Sequence, residues 1–181
     1  MNYRALGNTG LQVSEIGLGC EGFAEDNCKE AKKLLDEAEK LGINYFDLYA
    51  SDPAVRSALG TALQGRRNKF FLQAHLCSVW KNGQYERTRK IDEVKQSFAD
   101  LLKRLATDHI DVGMIHYCDS MSDWQEIANG PVLSYALEQK KLGHIHHIGL
   151  SSHNPEVALA AVQSGSIEVL MFSVNPCYDL Q

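Results

Sequence analysis

The sequence lacks any apolar run approaching the eighteen or so residues that a membrane-spanning helix requires. Its first ten residues, MNYRALGNTG, are polar and turn-rich, and read as neither a span nor a leader. A basic stripe is also missing. Lys and Arg are interspersed with Asp and Glu, and the net charge of −5 has the wrong sign for following a nucleic-acid backbone. The five cysteines, Cys20, Cys28, Cys77, Cys118 and Cys177, are odd in number, widely spaced and form no C-x-x-C pair. They read as reduced thiols, and the protein as cytoplasmic. Low-complexity tracts, linkers and short repeats are absent, so residues 1–181 read as one domain. After the first apolar strand the Gly-rich turn of an open dinucleotide-binding sheet is missing too, since GLGCEGF fits it poorly.

What is present is a chain of 181 residues, 44% hydrophobic, long enough to bury a core. From Ile43 onward short β-branched or aromatic runs alternate with longer stretches of helical period, the pattern of a parallel α/β fold. Six runs read as strands: EIGLG (15–19), YFDLY (45–49), FFLQAHL (70–76), DVGMIHY (111–117), HHIGLSS (146–152) and VLMFSVN (169–175). Helices are punctuated between them. Asn27 with Glu30 resembles a capping box before an apolar stripe ending at Gly42. Residues 88–105 repeat that logic, and Asn154-Pro155 is a cap with proline at the first helical position. Residues 53–63 and 123–142 are weaker helical stretches. YRALG and LQVSE flank NTG, which predicts a β-hairpin before the first parallel strand. A closed barrel of this kind needs about 250 residues, so either the sheet is open or the chain stops before closure.

A polar or ionisable group stands near the C-terminal end of each predicted strand: Cys20 after Gly19, Asp47, His75, His116, Ser151 with Ser152, and Asn175. In parallel α/β folds those ends share one face, so groups remote in sequence converge there. Singly, each has an ordinary explanation as a satisfied structural residue or helix cap; together they point to a functional face. His109, His144, His146 and His147 lie near strand starts and read as structural or surface residues.

The stretches YRALGNTGLQVSEIGLG, INYFD with LG thirteen residues past the Asp, TDHIDVGMIHY, GHIHHIGLSSHN and FSVNPCYDL together resemble the aldo-keto reductases, in order and along the whole chain. The resemblance implies a (β/α)8 TIM-type barrel, with about six of eight strands present, floored by the N-terminal hairpin and binding NADP(H) without a Rossmann fold. It further implies that the last two strands and the loop gripping the cofactor's 2′-phosphate would lie beyond Gln181. SSHNPEVAL and NPCYDL are similar to the branch whose longer members carry a C-terminal iron-sulfur segment, so a cluster is expected only in a segment outside this sequence.

In that family hydride reaches a carbonyl carbon while a Tyr protonates the oxygen; a Lys lowers the Tyr pKa, an Asp pairs with the Lys, and a His orients the carbonyl. Asp47 and His116 fall on the Asp and the His. The Tyr position holds Asp52, and a carboxyl group, which ordinarily ionises at about pH 4, does not donate a proton at neutral pH as Tyr does. The Lys position holds His75. Two replacements for the acid are conceivable: His75, kept protonated by Asp47, or Tyr49 on the same strand face. On the cofactor side the resemblance places Gly19, Cys20, Ser151, Ser152, Asn175 and Tyr178, with the two serines at the nicotinamide carboxamide and Tyr178 where an aromatic stacks. Residues 78–87, SVWKNGQYER, overhang this site, with Trp80 and Tyr85 as candidate substrate contacts.

Two other readings compete. Asp47, His75 and His116, with Cys20 or Cys118, have the ligand chemistry of a metal-dependent hydrolase, although no local H-x-H motif stands at a strand end. Loss of two of four catalytic residues suits a degenerate barrel kept for binding or assembly. Unpaired edges on a six-stranded sheet also predict self-association.

Overall fold

The computed structural model describes residues 1–23 and 28–175, together with the backbone but not the side chain of Cys28. The chain opens with the expected hairpin, β1 (Tyr3–Ala5) antiparallel to β2 (Gln12–Ser14). It continues through β3 (Leu18–Gly19), α1 (Cys28–Leu41), β4 (Tyr45–Leu48), α2 (Pro53–Leu63) and β5 (Phe71–Leu76). A second hairpin follows, β6 (Ser78–Lys81) with β7 (Gln84–Arg87), then α3 (Ile91–Leu105) and β8 (Ile110–Ile115). The last elements are α4 (Met121–Asn129), α5 (Pro131–Lys141), β9 (Ile145–Ser152), α6 (Pro155–Gln163) and β10 (Val169–Phe172). The capping role assigned to Asn27 lies outside the described residues. Among the described residues no helix is long and apolar enough to cross a membrane.

Six strands form one parallel sheet in the order β3-β4-β5-β8-β9-β10. Each new strand is added on the same side, so the order never reverses. A doubly wound sheet reverses at its switch point, whereas a barrel winds singly. All six C-terminal ends therefore share one rim.

Burial follows the two faces. On one, Phe46, Leu72, Ile115, Ile148 and Leu150 join a continuous core with Leu35, Leu59, Leu101 and Ala161 from the helices. On the other, Val112, Met114 and Val169 form a smaller cluster against Leu6 and Leu11 of the first hairpin's loop and Tyr45. The hairpin thus floors the inner face. Strand β8 is buried at every position because both of its faces are covered, and this is why Asp111 is its one charged residue among apolar side chains and glycine.

The helices are positioned by punctuation and close approach. Asp52 caps α2, its side chain accepting from the Ala54 N–H at 2.8 Å, with Pro53 at the first turn. Where α2 crosses α3, a Cβ on Gly60 would lie 2.1 Å from the Arg104 carbonyl oxygen, so only glycine permits this separation. Arg56, 2% exposed, bridges the same crossing by donating to the Ser97 carbonyl at 3.0 Å and to Asp100 at 3.2 Å. Asn154 caps α6, accepting from Glu156 N–H at 2.9 Å.

Two segments differ from the sequence reading. The helical stretch at 123–142 is two helices broken at Gly130, because Pro131 has no N–H to continue the ladder and instead opens α5. Residues 78–87 form a hairpin and not merely an overhanging loop. Asn82 and Gly83 take φ of 51° and 77°, the left-handed pair that closes a two-residue turn.

Candidate active site

The inner face of the curled sheet carries polar residues in its upper half. Side chains alternate along a strand, so Tyr45, Asp47 and Tyr49 share one face, as do Gln73 and His75. Parallel register sets Asp47 beside Gln73 and His75 beside Met114, with His116 just past the end of β8. Asp47 Oδ1 accepts from Gln73 Nε2 at 2.7 Å and meets His75 Nε2 at 3.0 Å. The Tyr45 hydroxyl donates to Gln73 Oε1 at 2.6 Å, which fixes that amide with its NH2 toward the carboxylate. His75 Nδ1 lies 2.7 Å from His116 Nδ1, and His116 Nε2 lies 2.6 Å from the Tyr85 hydroxyl on β7.

One arrangement of protons satisfies this chain with both imidazoles neutral. A carboxylate only accepts, so His75 Nε2–H donates to Asp47 and His75 Nδ1 accepts. His116 Nδ1–H then donates to His75, leaving His116 Nε2 to accept from the Tyr85 hydroxyl. Burial, followed by the charges of His75 and Arg89 and opposed by Asp47, lowers the His116 pKa to about 3. Burial also raises the Tyr85 phenol above its ordinary value, with Arg87 opposing.

Aromatic and strained groups enclose the chain. Tyr49 stacks on His116, with centroids 5.9 Å apart and planes 4° apart, and Tyr85 meets the same ring edge-on at 5.6 Å. Tyr117 has a φ of 52°, a left-handed conformation that costs a non-glycine residue about 1–3 kcal/mol. Its N–H donates to Ser151 Oγ at 2.7 Å, and its carbonyl accepts from Arg87 at 2.9 Å and Arg89 at 2.8 Å. Arg89 also donates to the His116 carbonyl at 2.9 Å and is held by Asp123 through contacts of 2.8 and 2.7 Å. Ordering His116 and Tyr117 thus depends on a guanidinium that the sequence reading passed over.

A cleft of about 350 Å³ opens over these residues, lined by Asp47, Tyr49, His75, His116, Tyr117, Ser151, Ser152, His153 and the end of β10. It brings together three of the four residues assigned to catalysis. Asp52 does not line it, because its carboxylate turns back to cap α2. Of the cofactor residues, Ser151 and Ser152 line the cleft. The Ser151 oxygen accepts from Tyr117 while its own proton remains to donate; Ser152 Oγ donates to Asp119 at 3.3 Å and accepts from Asn154 N–H at 3.1 Å.

Cys20 is fully buried with its thiol toward the Leu18 carbonyl at 3.7 Å, and burial followed by Asp47 pushes its pKa up; it belongs to the larger core and does not line the cleft. Gly19 pairs with Asp47 across β3–β4, and a Cβ there would come within 2.9 Å of the Glu21 carboxylate. Asn175 follows β10 in the chain, and Tyr178 lies outside the described residues. Trp80 lines a separate hollow with Arg56, Glu93 and Ser97, so of the two hairpin aromatics only Tyr85 reaches the site.

Metal chemistry fits poorly at both ends of the sheet. In the cleft, the two ring nitrogens of His75 diverge toward Asp47 and His116, so one His75 atom cannot join both partners around an ion. At the strand starts, His109, Asp111 and His146 offer ligand atoms within 4.8 Å of one another. Yet the two rings stack at 4.4 Å and 19°, which confines their lone pairs to nearly parallel planes, His109 Nδ1 lies 2.7 Å from Asp108, and Asp111 Oδ2 is already taken by Arg67 and Leu72 N–H, each at 2.8 Å. Elsewhere at that end, His144 pairs with Gln139 and His147 with Glu168, each at 2.9 Å, in the structural roles expected. Among the described residues Cys20, Cys77 and Cys118 are buried and unpaired and join no group of metal ligands, so an iron-sulfur site finds no support.

Comparison with known proteins converges on the same fold. The Aldo/keto reductase family model matches residues 15–178. The uncharacterized oxidoreductase YqkF of Bacillus subtilis (strain 168) is 32% identical over 180 residues, covering 97% of this chain and 56% of YqkF. L-galactose dehydrogenase of Arabidopsis thaliana is 32% identical over 181 residues, covering 93% of this chain and 54% of that protein. The structure of the aldo-keto reductase AKR11C1 from Bacillus halodurans (holo form) aligns with a TM-score of 0.80 at 27% identity, covering 96% of this chain and 58% of its own. The chain spans about half the length of the curated relatives it matches. The singly wound sheet and its helices are those of a (β/α)8 barrel, with six of the strands among the described residues.

Proposed function

The chain belongs to the aldo/keto reductase family, and from that premise we propose that it is an NADP(H)-dependent oxidoreductase acting on a small carbonyl compound or its alcohol, in the cytoplasm, through an altered tetrad. The observation that carries the reading is the hydrogen-bonded chain from Asp47 through His75 to His116, which ends at the mouth of the cleft. A relative described as an oxidoreductase and another as L-galactose dehydrogenase support chemistry of this class.

The cleft residues suit a nicotinamide. Tyr49 and Tyr117 wall the cleft with flat surfaces, and Ser151 keeps a hydroxyl proton that can be donated to a carboxamide oxygen. When bound, the reduced nicotinamide supplies the hydride. Everything else is the work of this chain. His116 links His75 to the Tyr85 hydroxyl, and Asp47 balances a positive charge on His75. His75 is 6% exposed, with both ring nitrogens engaged; it therefore acts through His116 rather than by touching substrate. Gly19, Cys20, Asn175 and Tyr178 complete the cofactor assignment as proposals of the family pattern. The edge strands β3 and β10, together with exposed Leu170, Met171 and Val174, support self-association, which sedimentation would test.

The direct experiment titrates the purified protein into NADPH and follows its fluorescence, then supplies a panel of short aldehydes and sugars. Saturable binding and NADPH oxidation that is lost in His75→Ala support the reading; neither binding nor turnover at high protein concentration would defeat it.

A further inference from the structure

Resting on the carbonyl-reductase reading above, we propose that Tyr85, carried to the site by the β6–β7 hairpin, gives the proton to the substrate oxygen, and that Asp47, His75 and His116 are positioning residues that reload it. The usual phenol position is occupied by Asp52, which is committed to capping α2. Three other phenols come close, of which Tyr117 meets His116 only through a tilted ring contact at 6.0 Å. Tyr49 meets His116 face to face, and a stacked ring offers no path for a proton. Tyr85 instead meets a ring nitrogen, hydroxyl to Nε2, at 2.6 Å.

The hairpin holds that hydroxyl in place. Its turn is closed by Asn82-Gly83, and Trp80 pairs with Tyr85 across it. At its base, Thr88 N–H donates to the Cys77 carbonyl at 3.0 Å, and Ser78 Oγ donates to the Tyr49 carbonyl at 2.8 Å. Arg87, two residues beyond Tyr85, anchors the outgoing strand to Tyr117 and Asp123. Tyr85 is 40% exposed, and its hydroxyl meets His116, whose ring lines the cleft.

The chain has two proton states, and they differ in where the Tyr85 proton points. With both imidazoles neutral, every donor faces inward and the Tyr85 proton is held by His116. One added proton reverses the first two bonds: His75 Nδ1–H donates to His116 Nδ1, and His116 Nε2–H donates to the Tyr85 oxygen. The Asp47 carboxylate balances the imidazolium, and the phenolic proton is free to face the carbonyl. In the reduction, the carbonyl carbon gains a C–H bond from a hydride donor of the reduced-nicotinamide class while its π pair moves to oxygen. That oxygen takes the Tyr85 proton. Tyr85 recovers one from His116 Nε2–H, and His116 Nδ1 recovers one from His75. The chain is left in its neutral state and reloads from solvent. Other charged or titratable groups facing it are Cys20 and Glu21 after β3, Tyr45 and Tyr49 of the β4 segment, Arg87, Arg89 and Tyr117.

The test compares Tyr85→Phe, Tyr49→Phe and Asp52→Asn with the wild-type protein. For Tyr85→Phe we expect single-turnover reduction to fall about 100-fold or more, the range of a positioned general acid, with NADPH binding by fluorescence unchanged. Asp52→Asn, outside the cleft, stays within several-fold of wild type, and any loss in Tyr49→Phe is smaller than that in Tyr85→Phe. A readout independent of turnover is the ¹⁵N spectrum of the histidines in the protein without cofactor: Tyr85→Phe removes the donor at His116 Nε2 and shifts that nitrogen alone. Full activity in Tyr85→Phe, or a large loss confined to Tyr49→Phe, would overturn the assignment while leaving the reductase reading intact. A wild-type protein that neither binds NADPH nor turns over would overturn both.

Discussion

Replacing Asp47 by Asn tests the site most directly, because it removes one charge and almost no volume. The side chains of Asp47 and His75 are 19% and 3% exposed and 3.0 Å apart, so little water screens them. At an effective dielectric constant of about 20, two unit charges about 4 Å apart attract by about 4 kcal/mol. An amide oxygen retains the hydrogen bond and part of that attraction, and relaxation reduces the rest, leaving about 1.5–3 kcal/mol as the value of a charged over a neutral partner. The proton-loaded state of the chain should therefore become about 10- to 150-fold rarer in Asp47→Asn. Single-turnover reduction at pH 7, measured by stopped-flow loss of NADPH absorbance, should fall by that factor, with NADPH affinity unchanged. The deficit should shrink as the pH is lowered, because a higher proton concentration repopulates the loaded state. Wild-type rates at pH 7, or a deficit independent of pH in a folded variant, would refute the reasoning that Asp47 acts by holding a proton on the histidine pair.

Three further outcomes are expected. Gly60→Ala forces a Cβ to within 2.1 Å of a backbone oxygen and should lower stability by about 1–3 kcal/mol or more, seen as a lower urea midpoint at constant slope. Asp52→Ala removes the α2 cap and should cost about 1 kcal/mol, whereas Asp52→Asn, which still caps, should not; equal loss of turnover in both with the fold intact would show that Asp52 does more than cap. His116 has its folded pKa depressed to about 3, so between about pH 6.5 and pH 3 the unfolded chain binds a proton that the native state refuses. Stability should then fall with decreasing pH across that window by up to about 1.4 kcal/mol per pH unit, and His116→Gln should flatten the slope in calorimetric scans.

Much of the architecture was legible because it depends on local rules. A strand covered on both faces is mostly apolar, as in β8 apart from Asp111, and Asn154-Pro155 or Pro53 suits the opening of a helix. Asn82-Gly83 was equally legible as a tight turn, and its omission hid the β6–β7 hairpin. Gln73 carried a weaker signal: a polar residue two positions before His75 in a buried strand shares its face, and here it anchors Asp47.

The sequence by itself determined the run of parallel strands and that Asp47, His75 and His116 would stand at strand ends on one rim, because side-chain alternation and hydrophobic burial act within each strand; the single winding was implied only by the family resemblance. Only the tertiary structure decided what each of those groups faces. Asp52 turned back onto α2 because the nearest free backbone N–H outcompetes a distant cleft. The ring nitrogens of His75 and His116 found each other and Tyr85 because strand register and hairpin twist place segments about 30–40 residues apart within hydrogen-bond distance, and distances of that kind are set by packing rather than by any local pattern.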